Sequence, residues 1–198
     1  MEIKVIVGDI IKTKADALIV NFFEGVEKLE GDIAAVDKAL DGAIAQLISQ
    51  GEIKGKLNEV TMVHSLGKLP ATRAVVCGLG KQTELKINKI RGAVAETCRW
   101  LRQKGVSSIA TVAQGAGING INFESAAQAI TEGALLGLYL FRKHITREED
   151  KPGEIKQLLI VSSNKAKPQL EAGINKGRIL AEAANLARDM VNEPANYK

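Results

Sequence analysis

Residues 15–23 read Ala15-Asp16-Ala17-Leu18-Ile19-Val20-Asn21-Phe22-Phe23, an apolar run with β-branched residues at its centre. A strand with one face in water alternates polar and apolar positions. This run does not, so it predicts a strand buried on both faces, the kind found in parallel sheets covered by helices on either side. The neighbouring pattern agrees. Ile3, Val5 and Val7 alternate and predict a first strand, while Ile33, Val36, Leu40, Ile44 and Leu47 recur every three or four residues and predict one amphipathic helix.

Further strands are expected at 60–66 and 74–79, joined through Gly67 and Pro70, and then at 107–112 and 157–162. Thr83 is placed to cap a helix whose buried stripe is Ile87, Ile90, Val94, Cys98 and Leu101, and Gly105 to end it. Asn122 is placed to cap a helix carrying Phe123, Ala126, Ile130, Ala134, Leu138 and Phe141. A charged loop follows over 147–153. The last helix starts near Pro168, a residue favoured in a first helical turn, and runs to about Met190. Its many alanines and few large apolar groups suggest a connector lying along a surface. Strands alternating with helices of this length give an α/β fold, a three-layer α/β/α sandwich with a mixed, largely parallel sheet. That domain is expected to span 1–165, with a linker helix over 166–198.

Composition sets limits on function. The 198 residues are 45% hydrophobic and 25% charged, values of an ordinary globular chain, and only 4% aromatic, so the core must be aliphatic. The net charge is +4. Nucleic-acid binders gather such charge on one face and interleave aromatics for stacking, whereas here Arg142, Lys143 and Arg147 are followed at once by Glu148, Glu149 and Asp150. Nucleic acid is therefore an unlikely partner. Cys77 and Cys98 lie on apolar stripes and read as small buried hydrophobes. The richest apolar run, 134–141, is far too short for a membrane span, so no membrane partner is expected and a reducing, cytoplasmic setting is.

The motifs that invite chemistry are few. Gly115-Ala116-Gly117-Ile118-Asn119-Gly120 is a literal G-x-G-x-x-G between a strand and a helix, a pattern that lets backbone approach a pyrophosphate. It comes after several strands rather than in the first unit, and the acidic residue expected about 20 positions later is missing, which favours a tight turn. Gly78-Leu79-Gly80-Lys81 is too short for a phosphate-cradling loop and reads as a strand-end turn. His64 falls in a strand and His144 at a helix end, where the dipole favours it; two histidines and two distant cysteines do not make a zinc site. Asp9, Asp16 and Asp32 fall at strand ends or a helix start, where turn and capping roles come first. No nucleophile elbow and no H-E-x-x-H helix is present. The residues themselves reveal no active site.

The end of the chain is more specific. Leu186-Ala187-Arg188-Asp189-Met190-Val191-Asn192-Glu193-Pro194-Ala195-Asn196-Tyr197 closely resembles the junction A-R-D-L-V-N-E-P-x-N of leucyl (cytosol) aminopeptidases. Ala74-Val75-Val76-Cys77-Gly78-Leu79-Gly80-Lys81 resembles that family's strand ending in G-L-G-K. The resemblance implies the N-terminal, non-catalytic domain of a peptidase, cut short before its catalytic domain. Pro194 cannot continue the helix and only a few polar residues follow, which suits a truncated chain. The full enzyme would release N-terminal residues, preferably leucine, from peptides. It would use two divalent metals, manganese or zinc, which activate water and stabilise the tetrahedral intermediate. It would assemble as a hexamer. The family's metal-ligand and catalytic residues lie past the junction, so no catalytic or metal residue is assigned here and the chain alone is expected to be inactive.

A second likeness concerns the fold. Gly8-Asp9-Ile10-Ile11-Lys12 with Asp16-Ala17-Leu18-Ile19-Val20-Asn21 is similar to the opening of macro domains, which bind ADP-ribose, and Gly117-Ile118-Asn119-Gly120 with Ala126-Ala127 to their phosphate loop. Phe22-Phe23 replaces the usual Ala-Asn, and a single Gly31 stands where a glycine triplet would meet the ligand, so close backbone approach is lost. The likeness implies a shared fold with a degraded ligand site, in which Gly115, Gly117 and Gly120 are a vestigial phosphate-type loop. The rival reading is a module for ADP-ribose or a related nucleotide, using Asp9 or Asp16 with the loop at 115–120.

Overall fold

The computed structural model describes residues 1–144 and 153–195; of the expected charged loop at 147–153, residues 147–152 lie outside the described residues, as do the junction residues Asn196 to Lys198. In chain order the elements are β1 (Glu2–Val7), β2 (Ala17–Phe22), α1 (Gly31–Ala39), α2 (Ala43–Ser49), β3 (Val60–His64), β4 (Arg73–Gly78), α3 (Ile87–Gln103), β5 (Ser108–Val112), α4 (Phe123–Gly137), β6 (Gln157–Ser162) and α5 (Lys167–Asn192). The strands form one six-stranded sheet in the order β1-β6-β5-β2-β4-β3. Every pairing is parallel except β3 with β4.

Strand alternation sorts the core into two layers. Ala17 and Ile19, Val75 and Cys77, Ile109, and Leu158 and Ile160 face α3, α4 and α5. Leu18, Val20 and Phe22, Ala74 and Val76, Ala110 and Val112, and Leu159 and Val161 face α1 and α2. Both sets are buried. Successive side chains of a strand point to opposite faces, so a strand covered on both sides must be apolar throughout. The three-layer α/β/α sandwich follows. No helix among the described residues is long and apolar enough to cross a membrane.

Several local expectations change. The single helix predicted from Ile33 to Leu47 is two helices, because Asp41 (φ 54°) and Gly42 (φ 82°) are both left-handed and cannot sit inside a right-handed helix. The Asp37 carboxylate accepts N–H bonds from Ile44 at 2.8 Å and Ala45 at 3.0 Å and so opens the second helix. The apolar spacing survives the break, and Val36, Leu40 and Ile44 are all buried. Thr83 does not cap α3; it lies in a 3-10 turn, and the helix begins after Lys86 with no side-chain cap. Asn122 does cap α4, accepting from Ser125 N–H. That helix stops at Gly137, so His144 is not at its end; the ring Nε2 lies 3.2 Å from Glu193 Oε1 instead.

The last helix joins the core through its first half. Leu170, Gly173, Ile174, Gly177 and Ala181 are its buried positions, spaced three and four apart. A Cβ on Gly173 would stand 2.1 Å from the Glu124 carbonyl oxygen, and one on Gly177 2.8 Å from that of Gln128. Backbone of α5 therefore rests directly on backbone of α4. Gly92, inside α3, is the contrast, with nothing nearer its Cβ position than Asn58 Oδ1 at 3.8 Å. Gly173→Ala is expected to cost about 1–3 kcal/mol by forcing the two helices apart. Gly92→Ala is expected to gain about 0.5–1 kcal/mol from reduced backbone freedom in the unfolded chain. Urea unfolding of the two variants checks both signs.

Candidate functional site

Topology chooses the place. From β2 the chain turns to α1 on one face of the sheet, and from the adjacent β5 it turns to α4 on the other. Loops that diverge at the carboxyl ends of neighbouring parallel strands leave a crevice, the usual position of ligands in sheets of this type. A groove of about 790 Å³ lies there, between Phe22, Phe23, Val26 and Ile33 on one side and Gly115, Ala116 and Ile118 on the other. A second groove of about 380 Å³ shares Asp32, Ala113 and Ala116 with it and extends past Ser162 and Ser163 at the end of β6.

The glycine loop forms one wall. Gly115, Gly117 and Gly120 all have positive φ, as does Asn119. A phosphate cradle needs backbone N–H groups aimed outward. In this loop the N–H of Ala116 donates to Ala113, that of Gly117 to Ile121, that of Ile118 to Gly115 and that of Ile121 to Ile118. The turn thus bonds largely to itself. Asn119 leans outward and donates its side-chain N–H to the carbonyls of Gln82 at 2.7 Å and Leu85 at 3.3 Å, tying the loop to the entry of α3. The sequence reading missed this strut, although an asparagine beside glycine signals a left-handed residue.

The rim is acidic. Glu27, Glu30 and Asp32 line the larger groove against the single ammonium of Lys28, which is already 3.6 Å from Glu30. Partial loss of water and the nearby charge of Asp9 raise the Asp32 carboxyl above its ordinary range. A dianionic diphosphate placed here would meet like charges. Phe22 and Phe23 are themselves buried and belong to opposite core layers, so they are held in place rather than free to swing aside.

Of the three aspartates that the sequence grouped, the structure keeps Asp9 near Asp32 and places Asp16 apart from both. Asp9 caps the 3-10 turn at Ile10–Lys12, accepting from Ile11 N–H at 3.1 Å. Asp16 lies at the other end of β2 from the groove. There its Oδ2 accepts the N–H groups of Ser107 and Ser108, both at 2.8 Å, and its own N–H reaches the Ser108 hydroxyl. Asp16 therefore pins β2 to the start of β5. Gly78-Leu79-Gly80-Lys81 is a packing junction: Gly78 lies against the Lys56 carbonyl, 2.0 Å from where a Cβ would stand, and Gly80 N–H bonds to Gly55.

The remaining reactive side chains are inert. Burial pushes the Cys77 thiol up to about 11 and that of Cys98 up to about 12, so neither carries appreciable thiolate at neutral pH. Among the described residues no three His, Cys, Asp or Glu side chains gather to hold a metal ion. The two divalent ions implied by the resemblance do not fit these residues.

Comparison with known proteins gives matches of three kinds. Residues 19–146 match the model of the cytosol aminopeptidase family, N-terminal domain. A probable cytosol aminopeptidase of Alkaliphilus metalliredigens is 37% identical over 99% of this chain, which spans 39% of that relative's length. Among solved structures, a variant leucine aminopeptidase of tomato aligns with all of this chain and 40% of its own at a TM-score of 0.75 and 19% identity. A variant macrodomain of Oceanobacillus iheyensis aligns over 90% of this chain and 92% of its own, with a TM-score of 0.65 and 17% identity. At such identities the two structures show the fold alone.

The Asp16 staple makes a prediction about acid. Burial acts to raise its carboxyl, but the N–H groups of Ser107 and Ser108, the Ser108 hydroxyl and the charge of Arg73 outweigh it and hold it below the ordinary aspartate range. A lowered folded-state value means that this stability is complete above the unfolded-state pKa and is lost as pH falls through the folded one. Asp16→Ala should therefore cost about 1–2 kcal/mol at neutral pH, with the gap to the parent closing in acid. Urea unfolding as a function of pH measures it.

Proposed function

Because the chain belongs to the cytosol aminopeptidase family, by the N-terminal domain of that family, we propose that it is the non-catalytic front part of a metal-dependent exopeptidase. The family match over residues 19–146 carries this reading. The parent enzyme would release N-terminal residues, leucine by preference, from peptides. It would use two divalent metals, manganese or zinc, held by residues outside this chain. A domain of residues 1–165 would pass through the linker helix of 166–198 to the catalytic domain, and the whole would assemble as a hexamer in the cytoplasm, the compartment that its relatives' names point to. The domain's work would be structural: supporting assembly and shaping access to the catalytic part.

A second reading, a module for ADP-ribose or a related nucleotide, is favoured by one observation, the groove of about 790 Å³ beyond the ends of β2 and β5, bordered by Gly115 after β5 and by Gly31 at the start of α1. The acidic rim and the self-bonded loop weigh against it, and Asp16 stands too far away to serve it. Two assays separate the readings. The 198-residue chain with added manganese should hydrolyse leucine p-nitroanilide no faster than buffer, and hydrolysis above buffer would sink the non-catalytic role. Titration calorimetry with ADP-ribose should show no saturable heat, whereas saturable micromolar binding would turn the reading to the nucleotide module.

A further inference from the structure

The second half of α5 has two unlike faces. One is bound to its own domain by polar groups. Asn185 donates to the Leu135 carbonyl, Arg188 donates to Leu136 and lies over the Tyr139 ring, Asp189 accepts from the Tyr139 hydroxyl, and Glu193 pairs with Lys143. The other face carries Ile179, Ala183, Leu186 and Met190, at intervals of four, three and four, which places them in one line along the helix. Ile179 is 68% exposed, Leu186 60% and Met190 63%. The stripe starts at Ile179, beside the last buried position, Ala181, and runs to Met190 in the final turn of the helix.

An apolar line of this length, continuous and backed by a fixed helix, is a docking face rather than scattered surface exposure. We infer that it is covered by the polypeptide that comes after the N-terminal domain in the longer family members, resting on the reading of this chain as such a domain. Most of the Alkaliphilus metalliredigens relative's length lies outside its match to this chain, so that relative has polypeptide available to cover the stripe. Of the polar residues between the apolar ones, Asn185, Arg188 and Asp189 are bonded to the domain and hold the helix still. Arg188, Asp189, Asn192 and Glu193 thus position Leu186 and Met190 for a partner that the helix itself leads toward.

Methionine oxidation tests this, since peroxide reaches an exposed thioether and not a buried one. The 198-residue chain is compared with a chimera in which it replaces the matched portion of the Alkaliphilus metalliredigens relative. Far-UV circular dichroism reports that each sample is folded. In the chain alone Met190 should oxidise about as fast as Met1; in the chimera it should do so about tenfold more slowly or less. Met190→Glu should leave the melting temperature of the chain unchanged and lower that of the chimera. Equal oxidation in both proteins overturns the inference. So does concentration-dependent protection in the chain alone, which would make a second copy the occupant. Leucine p-nitroanilide hydrolysis by the chimera judges the aminopeptidase reading separately: an active chimera with freely oxidised Met190 sinks the docking face alone.

Discussion

The pairing of β2 with β4 on one side and β5 on the other organises the molecule. Helices cover both faces of that strand, so its residues must be apolar in both directions, and its neighbours inherit the same requirement. At the start of β2 the Asp16 carboxylate gathers the N–H groups that open β5, which fixes the two strands in register. At its far end the chain departs toward one layer while the chain leaving β5 departs toward the other. The groove is what remains between them. One strand's position thus sets the core, the register and the large groove at the sheet's carboxyl edge.

The fold was legible in the sequence because its signals are local. The doubly apolar run at 15–23, the alternation at Ile3 to Val7 and the stripes of α3 and α4 each need only a few neighbouring residues to be read. The strand expected at 157–162 coincides with β6. Where reading failed, a backbone event outweighed side-chain spacing. Val36, Leu40 and Ile44 keep helical intervals across Asp41-Gly42, yet two left-handed residues break the helix between them. Thr83 has capping chemistry, but Asn119, far along the chain, fixes the turn in which it sits. The groove was legible only as a glycine pattern. Its acidic rim comes from the segment after β2 and its strut from the segment after β5, and no local pattern joins the two.

Fold and function part company here. The sandwich is shared with macrodomains and with the front of leucine aminopeptidases, and a shared fold leaves the chemistry open. A diphosphate site at the strand ends needs free amides and positive potential. Four amides of this loop, those of Ala116, Gly117, Ile118 and Ile121, are bonded within it, and the rim presents carboxylates. The same architecture supports a different use in α5, whose inward polar residues and outward apolar ones divide the junction sequence between holding and contact. Several residues of the run that resembles the family junction, from Leu186 to Glu193, therefore have a mechanical reading.

The bare contact of Gly173 and Gly177 with the backbone of α4 sets more than a packing distance. It fixes the rotational phase of α5 about its own axis. Each residue added to a helix turns all later positions by about 100°. One residue inserted between Gly177 and Ile179 would swing the whole apolar line sideways, while leaving every side chain chemically unchanged. The stretch after Gly177 is thus constrained in length before it is constrained in composition, and a deletion there would misaim the helix as surely as a charge placed on its face.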